Sequence, residues 1–238
     1  MKKWKLWDKI LNILFPPDVT CILCGGELKN KNERKFSVCD SCNKDLEYIG
    51  DKEQKICNSN LNIKEFYTVF KYENKTKELV LSFKDGNRPY LRENIAKYLF
   101  EIYNKKNILC DFICYVPSSP QKINKRGYDP MKLVAKHLSL LSGKETKHLL
   151  ARKTQVLDQT QTSNRYANIS GCFYCESDYD LKGKKILLID DVVTTGATAS
   201  ECAKVLLLKG GAEVNLLTFT EAKTFTEYKA ERVSRMRG

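Results

Sequence analysis

The sequence predicts an α/β protein: a doubly wound, mostly parallel sheet with a small cysteine-rich module at its amino end. Three observations carry this. The segment 186–200 reads ILLIDDVVTTGATAS, in which a continuous apolar run, Ile186–Ile189, meets two carboxylates, Asp190 and Asp191, and then a small-residue loop. An unbroken apolar run of that length suits a parallel strand covered on both faces. Strand-like and helix-like patterns alternate between residues 65 and 141, and Cys-x2-Cys pairs stand at Cys21/Cys24 and Cys39/Cys42.

The opening stretch MKKWKLWDKILNILFPP places Trp4, Trp7, Leu11 and Leu14 at helical spacing, and Pro16-Pro17 ends the pattern. Residues 1–17 are therefore expected to form an amphipathic docking helix, with a membrane-surface helix as the alternative. Asp8 and Lys9 interrupt the apolar stretch before it reaches signal-peptide length. No uncharged run approaches the ~20 apolar residues of a membrane span, and a cytoplasmic protein is expected.

Residues 18–50 form the cysteine module. The two pairs offer four thiolates separated by a fourteen-residue spacer, which fits the tetrahedral four-cysteine shell of structural zinc. Gly25-Gly26 suits a tight knuckle that turns backbone N–H groups toward sulfur. A redox role is the rival, but neither pair stands between a strand and a helix. The expected metal ligands are Cys21, Cys24, Cys39 and Cys42. Such a closed site is structural, since it has no open coordination position.

Residues 51–62 read as a polar linker and 63–222 as the main domain. Within it, Glu65–Tyr72 reads as a strand, Lys75–Phe83 and Tyr90–Tyr103 as helices, and Asp111–Val116 as a buried strand. Alternation of this kind implies a parallel sheet with helices on both faces. Asp129 and Pro130 start a helix that runs to about Leu141 and stops at Gly143. Ala199–Leu208 is helical, Gly210-Gly211 stops it, and Val214–Thr220 is a further strand. Residues 223–238 form a basic tail. Cys172 and Cys175 would alternate across a strand, so they read as buried strand cysteines, as do Cys57, Cys110, Cys114 and Cys202. His137 and His148 show no nucleophile or metal partner in the sequence and are given no role.

The loop after Asp190-Asp191 lies at a strand's carboxyl end, where open α/β sheets bind ligands. Gly196 permits close backbone approach, Thr194, Thr195 and Thr198 offer hydroxyls, and the next helix begins with unpaired N–H groups that favour an anion. A phosphate suits the loop (Thr194, Thr195, Gly196, Ala197, Thr198), while the carboxylates call for hydroxyls, a metal ion or a developing cation. A sugar phosphate meets both demands. A second loop, after Val116, carries Ser118, Ser119, Lys122 and Arg126, suited to another anionic group. The net charge is +12, and ten Lys or Arg against three acidic residues fall between Pro117 and Asn168. Such an excess favours phosphates or nucleic acid. Arg152, Lys153 and Arg165 fit a basic track for single-stranded nucleic acid, with Tyr166 able to stack a base.

The segment Ile186–Thr198 resembles the phosphoribosyl pyrophosphate (PRPP) motif of type I phosphoribosyltransferases. That resemblance implies ribose hydroxyls on Asp190 and Asp191, and the 5′-phosphate in Thr194–Thr198. The segment VPSSPQKINKRGYDP resembles the VPLHPxRxxxRGF[ND]Q stretch of the ComF/GntX family, with Ser119 where His is usual and Pro130 where Gln is usual. Gln159, Arg165, Asn168, Gly171 and Phe173 match that family's next pattern, in a segment, Arg152–Asn168, similar to the mobile loop that closes over PRPP. With the four-cysteine module, the resemblance covers nearly the whole chain. It implies a type I phosphoribosyltransferase-like fold behind a zinc-ribbon-like module, and pyrophosphate in the loop after Val116. It also implies Mg²⁺ when PRPP is bound, and action on single-stranded DNA during natural competence with a competence helicase as partner. The alternative is an active phosphoribosyltransferase that transfers phosphoribose to an unidentified nitrogen acceptor.

Overall fold

A computed structural model describes residues 19–51, 55–56, 61–86, 88–153 and 170–222. The segment 1–18, where an amino-terminal helix is expected, most of the linker, Cys57, Asn87, the segment 154–169 and the segment 223–238 lie outside the described residues.

The described chain begins with two short helices, α1 (Lys31–Phe36) and α2 (Asp40–Lys44). There follow β1 (Lys55–Ile56), β2 (Glu65–Lys71), α3 (Asn74–Lys84) and α4 (Arg92–Lys105), with a 3₁₀ turn at Pro89–Leu91 ahead of α4. Next come β3 (Phe112–Tyr115), α5 (Pro120–Arg126), α6 (Pro130–Ser142), β4 (Leu150–Arg152) and β5 (Phe173–Cys175). The chain closes with β6 (Lys185–Val193), α7 (Ala197–Leu208) and β7 (Glu213–Glu221). The main sheet runs β1-β2-β7-β6-β3, and β4-β5 form a separate two-stranded ribbon. The β2–β7, β7–β6 and β6–β3 pairs are parallel, and only β1 runs antiparallel. This is the doubly wound, mostly parallel α/β sheet that the alternation predicts.

Strand β6 shows why its apolar run is unbroken. Leu187 and Ile189 join a core with α3, α4 and α6 through Val80, Leu99 and Val134. Ile186 and Leu188 join the opposite core with α7 through Ala199, Cys202 and Leu206. Both faces are dry, so a polar residue at any of the four positions would lose water without gaining a partner. Each such side chain contributes roughly 1.5–3 kcal/mol by burial.

Strand β6 stays in register with β7 past the two acids to Val193–Glu221, because Val192 and Val193 are β-branched and suit the sheet. One element differs from expectation. The loop after Val116 holds a short helix, α5, with Pro120 at its first position and Ser119 as N-cap, accepting the Lys122 N–H at 3.4 Å. Ser-Pro is a favoured pairing at a helix start, and it turns the expected loop into a short helix.

The cysteine module shares the main core. Cys21, Leu28, Val38, Cys42 and Leu46 belong to the cluster that holds Phe70, Tyr98 and Phe219. Phe36 stacks on Tyr98 at 4.2 Å between ring centroids, and Asn94 Nδ2 donates to the Phe36 carbonyl at 2.9 Å. The exit of the module pairs along the outer edge of β2, Ile49 N–H to Val69 O at 2.8 Å and Lys71 N–H to Glu47 O at 3.0 Å.

Candidate functional site

Neighbouring strands β3 and β6 send their following helices to opposite faces of the sheet. Met131, Val134 and Leu138 of α6 pack on one face, and Ala199, Cys202 and Leu206 of α7 on the other. A crevice therefore opens between the carboxyl ends of these two strands, the place where doubly wound sheets bind ligands. The loop after β3 forms one wall and the turn after β6 the other.

The β6 wall is the turn Thr194–Gly196 followed by α7. Gly196 has φ 79° and ψ 0°, left-handed backbone that a side chain at that position would resist. The Ala197 N–H faces Thr195 Oγ1 at 3.4 Å. Thr194, Thr195 and Thr198 are part-exposed, while Gly196 and Ala197 are buried. Thr198 sits in the first turn of α7 rather than in a loop. The turn thus presents the helix's leading amides beside threonine hydroxyls, an arrangement that attracts an anion.

Asp190 and Asp191 stand on successive strand positions and so leave β6 on opposite faces. Asp191 is buried and paired with Lys84 of α3, 2.7 Å from Nζ to Oδ1. Its N–H donates to Asp190 Oδ1 at 2.9 Å, and its carbonyl accepts from the buried Thr220 hydroxyl at 2.8 Å. Burial first, then the charge of Asp191, pushes the Asp190 pKa well above the ordinary aspartate range, with Lys84 offsetting part of the rise. Burial works against the Lys84 ammonium, but the charges of Asp191 and Asp190 outweigh it and raise its pKa.

The β3 wall carries Ser118 and Ser119, both part-exposed, and the exposed Lys122. Ser118 N–H donates to Asp129 Oδ2 at 3.3 Å; burial holds the Asp129 pKa up against that bond. Arg126 is engaged by a carboxylate: its Nε and Nη2 donate to one oxygen of Asp85 at 3.1 and 2.7 Å. Tyr128 Oη donates to the Phe83 carbonyl at 2.5 Å. Three successive residues at the end of α3 thus tie the two walls together: Phe83 to Tyr128, Lys84 to Asp191, Asp85 to Arg126. Sequence reasoning did not find them, because nothing in a Phe-Lys-Asp helix end announces partners more than forty residues away.

Histidines read as idle in the sequence have partners. His137 Nε2 accepts from Arg92 Nε at 2.9 Å, which joins α6 to α4. His148 lies 2.7 Å (Nδ1) from Tyr115 Oη and 3.3 Å (Nε2) from Glu176. Tyr115, the last residue of β3, is buried and stacked on His148. The only signal in the sequence was the place of Tyr115 near the end of the predicted strand Asp111–Val116.

Of the basic track, Arg152 sits in β4 with its guanidinium 5.5 Å from the Phe173 ring centre, and Lys153 is exposed just after it. Arg165 and Tyr166 lie outside the described residues. Among the described cysteines, Cys110, Cys114, Cys172 and Cys202 are buried and Cys175 is part-buried.

In the module, the sulfurs of Cys21, Cys24, Cys39 and Cys42 all lie within 4.8 Å of one another, and Cys24 and Cys39 are 3.7 Å apart. A tetrahedron with bonds of about 2.3 Å has edges of about 3.8 Å, so the four thiols fit a single metal ion. Gly26 N–H donates to Cys24 Sγ at 3.4 Å, the knuckle contact expected of Gly25-Gly26. Burial pushes the Cys21 thiol up, but the N–H groups of Cys39, Cys24 and Leu23 outweigh it and bring the pKa down to about 7. A thiol that ionises near neutrality is prepared for a metal.

A cavity of about 290 Å³ lies away from the crevice, between the module and the α4–β2 surface. Glu33, Asp40 and Glu101 line it and no Lys or Arg does. Its carboxylates disfavour an anion there. Among the described residues, no helix is long and apolar enough to cross a membrane.

No family model matches the chain. It is 24% identical over 218 residues to the competence protein ComFC of Bacillus subtilis, covering 86% of this chain and 84% of the relative. It is likewise 24% identical over 220 residues to ComFC of Streptococcus pneumoniae, covering 82% and 96%. Competence protein F of Haemophilus influenzae is 24% identical over 215 residues, covering 82% and 94%. The resemblance to ComF competence proteins therefore holds over most of the chain. Among solved structures, the Bacillus subtilis glutamine PRPP amidotransferase superposes with a TM-score of 0.41 at 14% identity, over 58% of this chain and 30% of that one. Adenine phosphoribosyltransferase of Saccharomyces cerevisiae gives 0.38 at 18% identity, over 60% and 75%. The fold assignment rests on the sheet order and not on these scores.

Proposed function

We propose that this chain is a ComF-type protein whose crevice binds a phosphorylated sugar of the PRPP class, and that it acts on single-stranded DNA in the cytoplasm during natural competence. The sugar's 5′-phosphate would lie on Thr194, Thr195, Gly196, Ala197 and Thr198, and its ring hydroxyls on Asp190 and Asp191. Ser118, Ser119, Lys122 and Arg126 would hold the pyrophosphate, with Mg²⁺ entering alongside the ligand. The four cysteines would hold a structural zinc, which supplies no chemistry beyond closing the module. The observation that carries the reading is the meeting of an anion-attracting turn and a pair of carboxylates at the point where β3 and β6 diverge.

The names of the relatives and the basic balance support the DNA part. Arg152 and Lys153 offer cations at the ribbon, where a strand could be tracked through its phosphates. Calorimetry of PRPP with Mg²⁺ tests the crevice: the wild type binds, and an Asp190→Asn, Asp191→Asn double variant loses at least about tenfold. Equal binding by the two proteins removes the assignment. Oligothymidine titrations test the DNA part, where affinity falls with salt at a slope of about −0.7 per phosphate contact.

The second reading, an active phosphoribosyltransferase, draws on the same carboxylates, which could stabilise positive charge as it develops on the ribose ring. Pyrophosphate release from PRPP with a panel of nitrogen bases tests it, and no release with any base leaves a binding protein.

A further inference from the structure

The carboxyl-terminal turn of α3 is the one part of the crevice that neither the motif nor the loops account for. Asp85 and Arg126 are unequal partners. The Arg126 side chain is 11% exposed and the Asp85 side chain 64%. Both Arg126 donors meet a single oxygen of that carboxylate. The guanidinium is anchored in the protein, while its counter-ion is a solvated, easily displaced group. Beside it, Lys84 is locked differently: 26% exposed, and paired with an Asp191 whose side chain is only 11% exposed. Of the two neighbouring ion pairs, one is built to stay and the other to exchange.

We propose that Asp85 is a resident competitor that occupies Arg126 until a ligand of higher charge displaces it, and so sets the charge a ligand must carry to engage the second wall of the crevice. This rests on the sugar-phosphate reading of that crevice. A carboxylate brings one negative charge and a single oxygen to Arg126. A pyrophosphate group brings several charges and can accept from both guanidinium nitrogens on separate oxygens, the stronger geometry for Arg. A ligand with only a 5′-phosphate fills the Gly196 turn and leaves Asp85 in place. Asp85 thereby acts as a specificity determinant, favouring ligands with a second, highly charged phosphate group over sugar monophosphates of similar shape. Only the Asp85 side chain, the solvated partner, has to swing aside, and an ion pair with one exposed partner is weak.

The test is calorimetry with Mg²⁺-PRPP and with ribose 5-phosphate on the wild type, Asp85→Asn, Arg126→Gln, the Asp85→Asn, Arg126→Gln double variant and the Asp190→Asn, Asp191→Asn variant. Removing the competitor tightens PRPP roughly twofold to fivefold, the range of an exposed pair, and leaves ribose 5-phosphate unchanged. The gain disappears when Arg126→Gln is already present, and it narrows as salt screens the pair. A purely structural Asp85 predicts the reverse, weaker PRPP binding at every ionic strength. Unchanged or weakened PRPP binding by Asp85→Asn, beside a wild type that binds and an Asp190/Asp191 variant that does not, overturns the competitor and spares the crevice. A wild type that binds PRPP no better than the Asp190/Asp191 variant overturns both.

Discussion

The cysteine module and the crevice between β3 and β6 reach order by different routes. The module gathers four like donors from within twenty-two residues (21–42), and its sequence spacing announces the result. The crevice gathers unlike charges from α3, β6 and α5, and its critical pairs join residues 41 and 107 positions apart: Asp85 with Arg126, and Lys84 with Asp191. A site closed by local spacing is readable and rigid. A site drawn together by long-range charge pairs leaves those contacts invisible until the chain is folded.

Breaking the module should have the largest effect. Cys42→Ser removes one of the four thiols proposed to hold a metal, a residue that is also part of the main hydrophobic core, so it is expected to lower the stability of the whole described unit by about 4 kcal/mol or more. Chelator titration followed by circular dichroism checks this; if only the module melts, the shared core is not cooperative. Phe70→Ala is next. Phe70 lies edge-on against Tyr48, Tyr98 and Phe219, so its loss is expected to cost about 3–5 kcal/mol by chemical denaturation. Weakened retention of the metal would accompany it.

The crevice answers in sign rather than size. A raised carboxyl pKa gives stability that is full below the unfolded value, 3.8 for aspartate, and lost as pH rises through the folded value. At neutral pH Asp190 therefore burdens the fold, and Asp190→Asn should raise the melting temperature there. The gain should fade as pH falls below 4, and a melting series from pH 3 to pH 8 reads it. The smallest effect is expected at the module's rim. Lys35→Ala breaks the exposed pair with Glu101 and should change stability by no more than about 0.5 kcal/mol.

Much of the architecture was legible because the physics is local. Ile186–Ile189 had to be covered on both faces, Asp129-Pro130 had to start a helix, and Gly143 had to stop it. Helix α5 was missed because the hydroxyls and cations of an expected anion loop outweighed its Ser-Pro helix start. In the crevice, the turn at Gly196 could be read from composition. Lys84, Asp85 and the Tyr115–His148 contact could not, since each depends on which strand became the neighbour of which.

The short run from Glu47 to Ile49 does more than connect the module to the sheet. It occupies backbone groups along β2 that would otherwise face solvent as an open template. Ile49→Pro removes the N–H that bonds Val69 O while leaving the four cysteines in place, and so loosens that border. Strand-to-strand recruitment between copies should then rise, and sedimentation should show more association with concentration than the intact chain gives.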